Sequence, residues 1–291
     1  MEVLQTEDVR DFFEQAASLL VAKEACNNLG LGILNRMMEK GSAAQGSAQP
    51  YLGLVKEAGK PVYVFLQTPP HNLILPDIDT SRPEIFSLIA RHLYHQGIHF
   101  PGVVGPVEAV RPFGAKWEQL TGKKAEVEMK QLIYRLDEVN PLETEGGSLT
   151  LADEKEEALI KAWLVGFGKE AKVAMDEVRA GEMAKDFIAS RSVYLWVVDG
   201  RPVSMANQSR KTKNGVTINA VYTPGAYKRN GYATALVAAL SQKLLDDGNL
   251  FCSLYTDEAN PTSNGIYQKI GYQVVGESIM YSFVKKSTLS C

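Results

Sequence analysis

The chain has 291 residues, 45% hydrophobic and 22% charged, with a formal net charge of −3. That length accommodates two ordinary domains, or one large one, with a substantial buried core, and the slightly negative charge gives no general attraction to nucleic acid or anionic membrane. Three cysteines, Cys26, Cys252 and Cys291, are odd in number and far apart, a pattern that supports neither a disulfide framework nor a zinc site.

The N-terminus is acidic and amphipathic rather than a signal peptide, and no apolar run reaches the length of a membrane span, so the expected location is cytoplasmic. After the first helices, residues 41–50 are small and polar and read as a surface loop. Strands are predicted over 51–55, 62–67 and 72–75, the first two joined through Glu57-Ala58-Gly59. A helix over 83–96, a strand near 100–104, a helix near 107–120 and a strand over 129–136 follow. His71, His92, His95 and His99 all lie in this half without a second ligand cluster, and Gly97 interrupts the helical spacing of the last two, so no metal site is expected. Residues 140–147 have the composition of a linker, which divides the chain into domains 1–140 and 148–291.

Beyond the linker come amphipathic helices with Leu159, Ala162 and Trp163 on one face and Met183, Phe187 and Ile188 on another, Trp163 reading as core. A strand over 193–198, an Asp199-Gly200 turn and a strand over 203–209 then repeat the order of the first half. Gly59-Lys60-Pro61-Val62 and Gly200-Arg201-Pro202-Val203 fall at matching places, as an internal repeat predicts, although such hairpins also arise independently.

The junction that follows is the most informative. An Asn214-Gly215 turn opens a strand over 216–223, and Tyr227-Lys228-Arg229-Asn230-Gly231-Tyr232-Ala233 joins it to a helix over 232–245. First-turn amides of a helix lack carbonyl partners and carry partial positive charge, which suits an oxyanion. Gly231 lets main chain approach a ligand without an intervening side chain. A strand over 250–255, holding Cys252 as a small core residue, leads to Asn260-Pro261, a cap and first helical residue, and Gly271 stops the helix. The first-half counterpart of the glycine turn, residues 76–83, is acidic and lacks glycine, so it repels an anion.

These segments together resemble the GNAT superfamily of acyl-CoA-dependent N-acyltransferases. Lys228, Gly231 and Ala233 match the pyrophosphate loop Arg/Gln-x-x-Gly-x-Gly/Ala, with lysine as the departure, and Asn260, Ser263, Tyr267, Gly271 and Tyr272 match the downstream segment. The resemblance spans 193–284. It implies an α/β (α+β) fold of two GNAT-like domains, each a mixed, mostly antiparallel twisted sheet flanked by helices. The central strands splay in the C-terminal domain, and the N-terminal one is degenerate.

The resemblance further implies acetyl-CoA as cosubstrate, with no metal, and direct acetyl transfer to a primary amine. Val221, Tyr222 and Thr223 are expected to bind pantetheine through the backbone, and Lys228, Arg229, Asn230, Gly231, Tyr232 and Ala233 to wrap the pyrophosphate. Asn260 is read both as a pantetheine contact and as a plain helix cap, with Ser263 in the same segment. Tyr267 is the expected proton donor to the departing thiolate, against a reading as a core aromatic, and Lys269 a phosphate contact or a solvated lysine. Glu182, Asp257 and Glu258 are candidate bases. A small-molecule or peptide amine is the expected partner, without nucleic acid or membrane, in a monomer or homodimer. The alternative is a non-catalytic CoA-binding sensor or scaffold.

Overall fold

The computed structural model describes residues 1–40, 49–142, 146–171 and 173–285. Most of the polar loop expected at 41–50, and part of the linker expected at 140–147, lie outside the described residues. The chain forms two compact units, Met1–Ile133 with Val275–Cys291, and Tyr134–Val274.

In chain order the elements are β1 (Glu2–Thr6), α1 (Val9–Val21), α2 (Asn28–Lys40), β2 (Tyr51–Glu57), β3 (Lys60–Gln67), β4 (Leu73–Ile74), α3 (Pro83–His95), β5 (Gly102–Gly105), α4 (Val107–Thr121) and β6 (Lys124–Leu136). Then follow β7 (Ser148–Leu151), α5 (Glu157–Ala171), α6 (Glu177–Ala189), β8 (Val193–Val198), β9 (Arg201–Lys211), β10 (Gly215–Tyr222), α7 (Tyr232–Asp246), β11 (Phe251–Asp257), α8 (Pro261–Ile270) and β12 (Gln273–Val284). One order, strand, two helices, three strands, helix, strand, helix, strand, thus occurs twice. β1 and β7, each opening a copy, are short strands that the sequence patterning did not announce.

In the first unit α1 is capped by Asp8, whose carboxylate accepts the amides of Arg10 and Asp11, and it buries Val9, Phe12, Ala16 and Leu20 at helical spacing. β1, β2 and β3 pair antiparallel, β3 pairs antiparallel with β4, and β4 runs parallel to β5. The next neighbour of β5 is β12, antiparallel, with Ile279 opposite Gly105 and Tyr281 opposite Val103. Ile279 and Phe283 are buried in the core built by Phe12, Leu34, Phe65, Phe86 and Phe113. The division expected at residues 140 and 148 would give this last strand to the C-terminal domain; its apolar face instead completes the first core, where the Phe283 ring lies 5.9 Å from Trp117 and 6.0 Å from Phe100.

In the second unit β7, β8, β9 and β10 pair antiparallel in succession and β10 runs parallel to β11. α5 and α6 bury Ile160, Trp163, Leu164, Ala180 and Ala184 against Val193, Leu195, Met205 and Ala220. Cys252 is fully buried, and burial drives its thiol up to about 12, as befits a core residue rather than a nucleophile. The end of β6 belongs here: the Arg135 guanidinium sits 4.3 Å over the Phe251 ring and Tyr134 packs on Tyr267.

The repeated glycine-basic-proline words prove to be equivalent hairpins. Ala58 and Gly59 turn with φ of 48° and 79°, Asp199 and Gly200 with 48° and 74°, the positive pair of a two-residue turn matched to strand twist. Each ladder shifts register just before the proline pair, between Val55 and Lys56 in one and between Trp196 and Val197 in the other. Pro61 and Pro202 have no amide to donate, and both bulges sit beside them. No described helix is long and apolar enough to cross a membrane.

Candidate active site

β10 and β11 pair in register only at Gly215↔Phe251, Val216↔Cys252 and Thr217↔Ser253, although β10 continues to Tyr222 and β11 to Asp257. The strands therefore part after Thr217 and Ser253, as the resemblance implied. On the other side of β10 the register with β9 shifts between Asn219 and Tyr222, and inside this bulge Ala220 adopts φ of 49°. A left-handed alanine costs about 1–2 kcal/mol. It is held by packing: Ala220 is buried in the core under α5 and α6. Bulge and divergence together leave main-chain groups around Val221 outside the regular ladder, where a ligand amide can pair with them. The Tyr222 carbonyl is taken by the Ser204 hydroxyl at 3.1 Å, and Ser204 Oγ also lies 2.8 Å from Thr223 Oγ1. Of the expected backbone contacts, Tyr222 has its carbonyl already engaged.

Past Pro224 the chain makes one tight turn over Gly225–Tyr227 and enters α7 through residues of positive φ, Arg229 at 66° and Gly231 at 76°. A Cβ on Gly231 would meet nothing within 4 Å, so its backbone angle, not crowding, demands glycine. Asn230 Nδ2 closes the turn onto the carbonyls of Tyr227 and Lys228, at 3.1 and 3.2 Å. No side chain caps α7, whose intrahelical ladder begins with the Ala235 amide on the Gly231 carbonyl at 3.0 Å. The amides of Tyr232, Ala233 and Thr234 precede that bond, and with the positive-φ turn they form a concavity suited to an anion. Lys228, assigned by sequence to the phosphate, is instead ion-paired, its Nζ 2.7 Å from both carboxylate oxygens of Glu170 on α5. The sequence carried no signal for Glu170, which lies 58 positions upstream of its partner.

α8 is entered as expected. Asn260 Oδ1 accepts the Ser263 amide at 3.1 Å, so the cap reading of Asn260 is realised, and Gly271 ends the helix at φ of 114°. Asn264, not anticipated, anchors the preceding turn through Nδ2 to the carbonyls of Asp257 and Glu258, while its buried Oδ1 has no partner among the described residues. Tyr267 lies between Tyr134 and Tyr272, each ring 5.9 Å away, and burial, reinforced by Tyr134, pushes its phenol up to about 12. The Tyr272 hydroxyl is paired with Ser241 at 2.8 Å. Lys269 is exposed, and Glu182 and Glu258 are exposed carboxylates. Asp257 spends Oδ1 on the Ala259 amide at 2.9 Å, a turn-forming bond.

The first unit treats its corresponding segment differently. β4 and β5 pair in parallel over two registers, Leu73↔Val103 and Ile74↔Val104, the second closed by the Leu75 amide on the Val104 carbonyl at 2.9 Å. Asp77 takes the Lys23 ammonium at 2.7 Å and its amide donates to Asn27 Oδ1 at 2.7 Å, while the Tyr63 hydroxyl donates to the Pro76 carbonyl at 2.6 Å. Arg82 is held by Glu57 and Glu84. These groups of the turn are answered by other residues of the same unit. Among the described residues no cluster of three or more histidine, cysteine or carboxylate side chains is placed to hold a metal ion.

Residues 194–281 match the family model described as FR47-like protein. No curated protein matches the chain. Solved structures resemble it over nearly its whole length at low identity. A GCN5-related N-acetyltransferase from Sphaerobacter thermophilus aligns with a TM-score of 0.61 and 13% identity, covering 96% of this chain and 94% of that one. A tandem GNAT protein from the clavulanic acid biosynthesis pathway gives 0.58 and 14%, covering 96% and 97%. A GNAT-family acetyltransferase from Colwellia psychrerythraea gives 0.58 and 12%, covering 98% and 100%. The fold of the chain is that of the tandem GNAT proteins, and its FR47-like match, over 194–281, lies within the second copy.

Proposed function

We propose that this protein transfers an acyl group, acetyl in the first instance, from acetyl-CoA to a primary amine by direct attack, in the cytoplasm. The observation that carries the reading is the parting of β10 from β11 after Thr217 and Ser253, immediately upstream of a helix entered through a left-handed glycine with no side-chain cap. The fit to the coenzyme is favourable on the structure's own terms. The amides that open α7 lack intrahelical partners, and open space faces Gly231. Bound acetyl-CoA supplies the thioester.

The chain's own groups then divide the work. The turn from Lys228 to Ala233 grips the diphosphate, and main chain at Val221 and Thr223 pairs with the pantetheine amides. An amide in the bulged stretch polarises the thioester carbonyl. Tyr267, a phenol protonated at neutral pH and raised to about 12 by burial, gives its hydroxyl proton to the leaving sulfur as the C–S bond breaks, and the proton shed by the attacking nitrogen as the amide forms restores the phenol through water. Asn260 is committed to its cap, which weakens its candidacy as a pantetheine ligand. The acceptor, a small amine or peptide amine, loses its ammonium proton before attack, with water as the simplest recipient.

The test is incubation with acetyl-CoA and an amine library while thiol release is followed. Sustained release with some amine above the hydrolysis background supports transfer. Coenzyme retention without release from any amine supports a non-catalytic CoA-binding module instead.

A further inference from the structure

We propose that Glu170 is the counter-ion that holds Lys228 away from the diphosphate seat until a diphosphate displaces it, so that the pair works as an exchangeable latch on coenzyme entry. The inference rests on the coenzyme reading above and adds a residue that neither motif contains.

Lys228 sits at the cationic position three residues ahead of Gly231, the place from which a side chain reaches a phosphate held by the helix entrance. Its ammonium is nevertheless already committed, 2.7 Å from Oε1 and 2.7 Å from Oε2 of Glu170. α5 is fixed in the position that makes this contact. Gly166 leaves room for the Tyr222 ring, since a Cβ there would collide with the Tyr222 hydroxyl, and Trp163 flanks the same ring at 6.4 Å. Glu170 lies one helical turn beyond Gly166, on the same face of α5, and its charge reaches the Tyr222 phenol together with that of Lys228. The end of β10 thereby sets the carboxylate beside the phosphate turn.

Both partners are about half exposed, with side chains 45% and 48% accessible. A pair of this kind is weak in water and is readily exchanged. A diphosphate offers the ammonium at least two negative charges in place of one, and it sits on helix-entrance amides that add their own attraction. The exchange moves ions only, and no bond is made or broken.

The experiment is calorimetric titration of coenzyme A, and separately of ADP, into the full-length wild type, Glu170→Gln, Lys228→Met and the double variant. Glu170→Gln should bind both ligands about three- to fivefold tighter, the scale of one exposed ion pair. Lys228→Met should bind them more weakly, and the double variant no more tightly than Lys228→Met. Dependence of the gain on Lys228 is what a merely structural role for Glu170 would not produce. Equal or weaker binding by Glu170→Gln, or a gain that survives in the Lys228→Met background, overturns the latch while leaving the coenzyme site standing. Failure of the wild type to retain either ligand overturns the coenzyme reading itself, and the latch with it.

Discussion

Replacing Gly231 by aspartate places a carboxylate at the mouth of the helix that is assigned the diphosphate. The substitution separates two costs. The backbone there has φ of 76°, and a non-glycine residue in that region loses about 1–2 kcal/mol. Sterics add nothing, because a Cβ would meet no atom within 4 Å. Asparagine tolerates the same backbone region better than most residues and carries no charge, so Gly231→Asn serves as the control. The electrostatic cost is specific to aspartate. At about 5 Å in an aqueous surrounding, each pair of unit charges repels by about 0.8 kcal/mol, so a carboxylate facing two diphosphate charges loses about 1.6 kcal/mol, or about 15-fold in affinity. A fully buried turn would give several kcal/mol. Gly231 is exposed, so the aqueous figure applies, and the penalty shrinks as salt shortens the screening length. Calorimetry with coenzyme A at low and at physiological salt measures both parts. Affinity for Gly231→Asp equal to that of Gly231→Asn at low salt would refute the placement of an anion at this turn.

Tyr267→Phe should cut turnover at least tenfold with coenzyme affinity unchanged, and wild-type turnover in the variant would remove the phenol from the chemistry. The same phenol stands near about 12 in the fold against an ordinary value near 10, so its contribution to stability is complete below pH 10 and is lost as pH climbs toward 12. That slope is worth on the order of 2 kcal/mol and should diminish in Tyr267→Phe when denaturant midpoints are measured across the range. Arg82→Ala, in the turn of the first unit, should leave coenzyme stoichiometry at one per chain; two bound equivalents in the wild type would contradict a closed first site. Phe283→Ala should destabilise by about 3–5 kcal/mol, with hydrogen exchange accelerating first at Val103 and Val104 opposite β12, and acceleration confined to β11 would argue against that strand's place in the first core.

Much of the second unit was legible because its signals are local. Asn214-Gly215, Gly231, Asn260-Pro261 and Gly271 each state a backbone requirement within a few residues, and β10, α7 and α8 begin and end within two residues of the bounds those signals imply. The repeat was legible for the same reason, since the paired hairpins depend on glycine and proline alone. What stayed hidden depends on contacts distant in sequence. Nothing around Glu170 marks it as the partner of Lys228, and Ala220, the strained residue of the bulge, is an unremarkable alanine in a strand of alternating pattern. β12 could not be assigned to its core from patterning, because Ile279 and Phe283 fix only which face is apolar and not which sheet receives it.

The two copies share order, hairpins and bulges but differ at the one place where coenzyme chemistry would occur. In the second, the parallel pair holds for three registers and then opens, and the turn beyond it has glycine, positive φ and helix-entrance amides without a side-chain cap. In the first, the parallel pair holds for two registers, and the turn beyond it is engaged by Lys23, Asn27, Tyr63, Glu57 and Glu84. On the reading that the first unit holds no coenzyme, internal satisfaction of the donors and charges that a ligand would otherwise meet accounts for it without a change of architecture. Asp77 there both repels phosphate and binds a lysine of its own unit. The second copy shows a milder form of the same device in Glu170, which neutralises Lys228 through an exposed pair that an incoming anion can break.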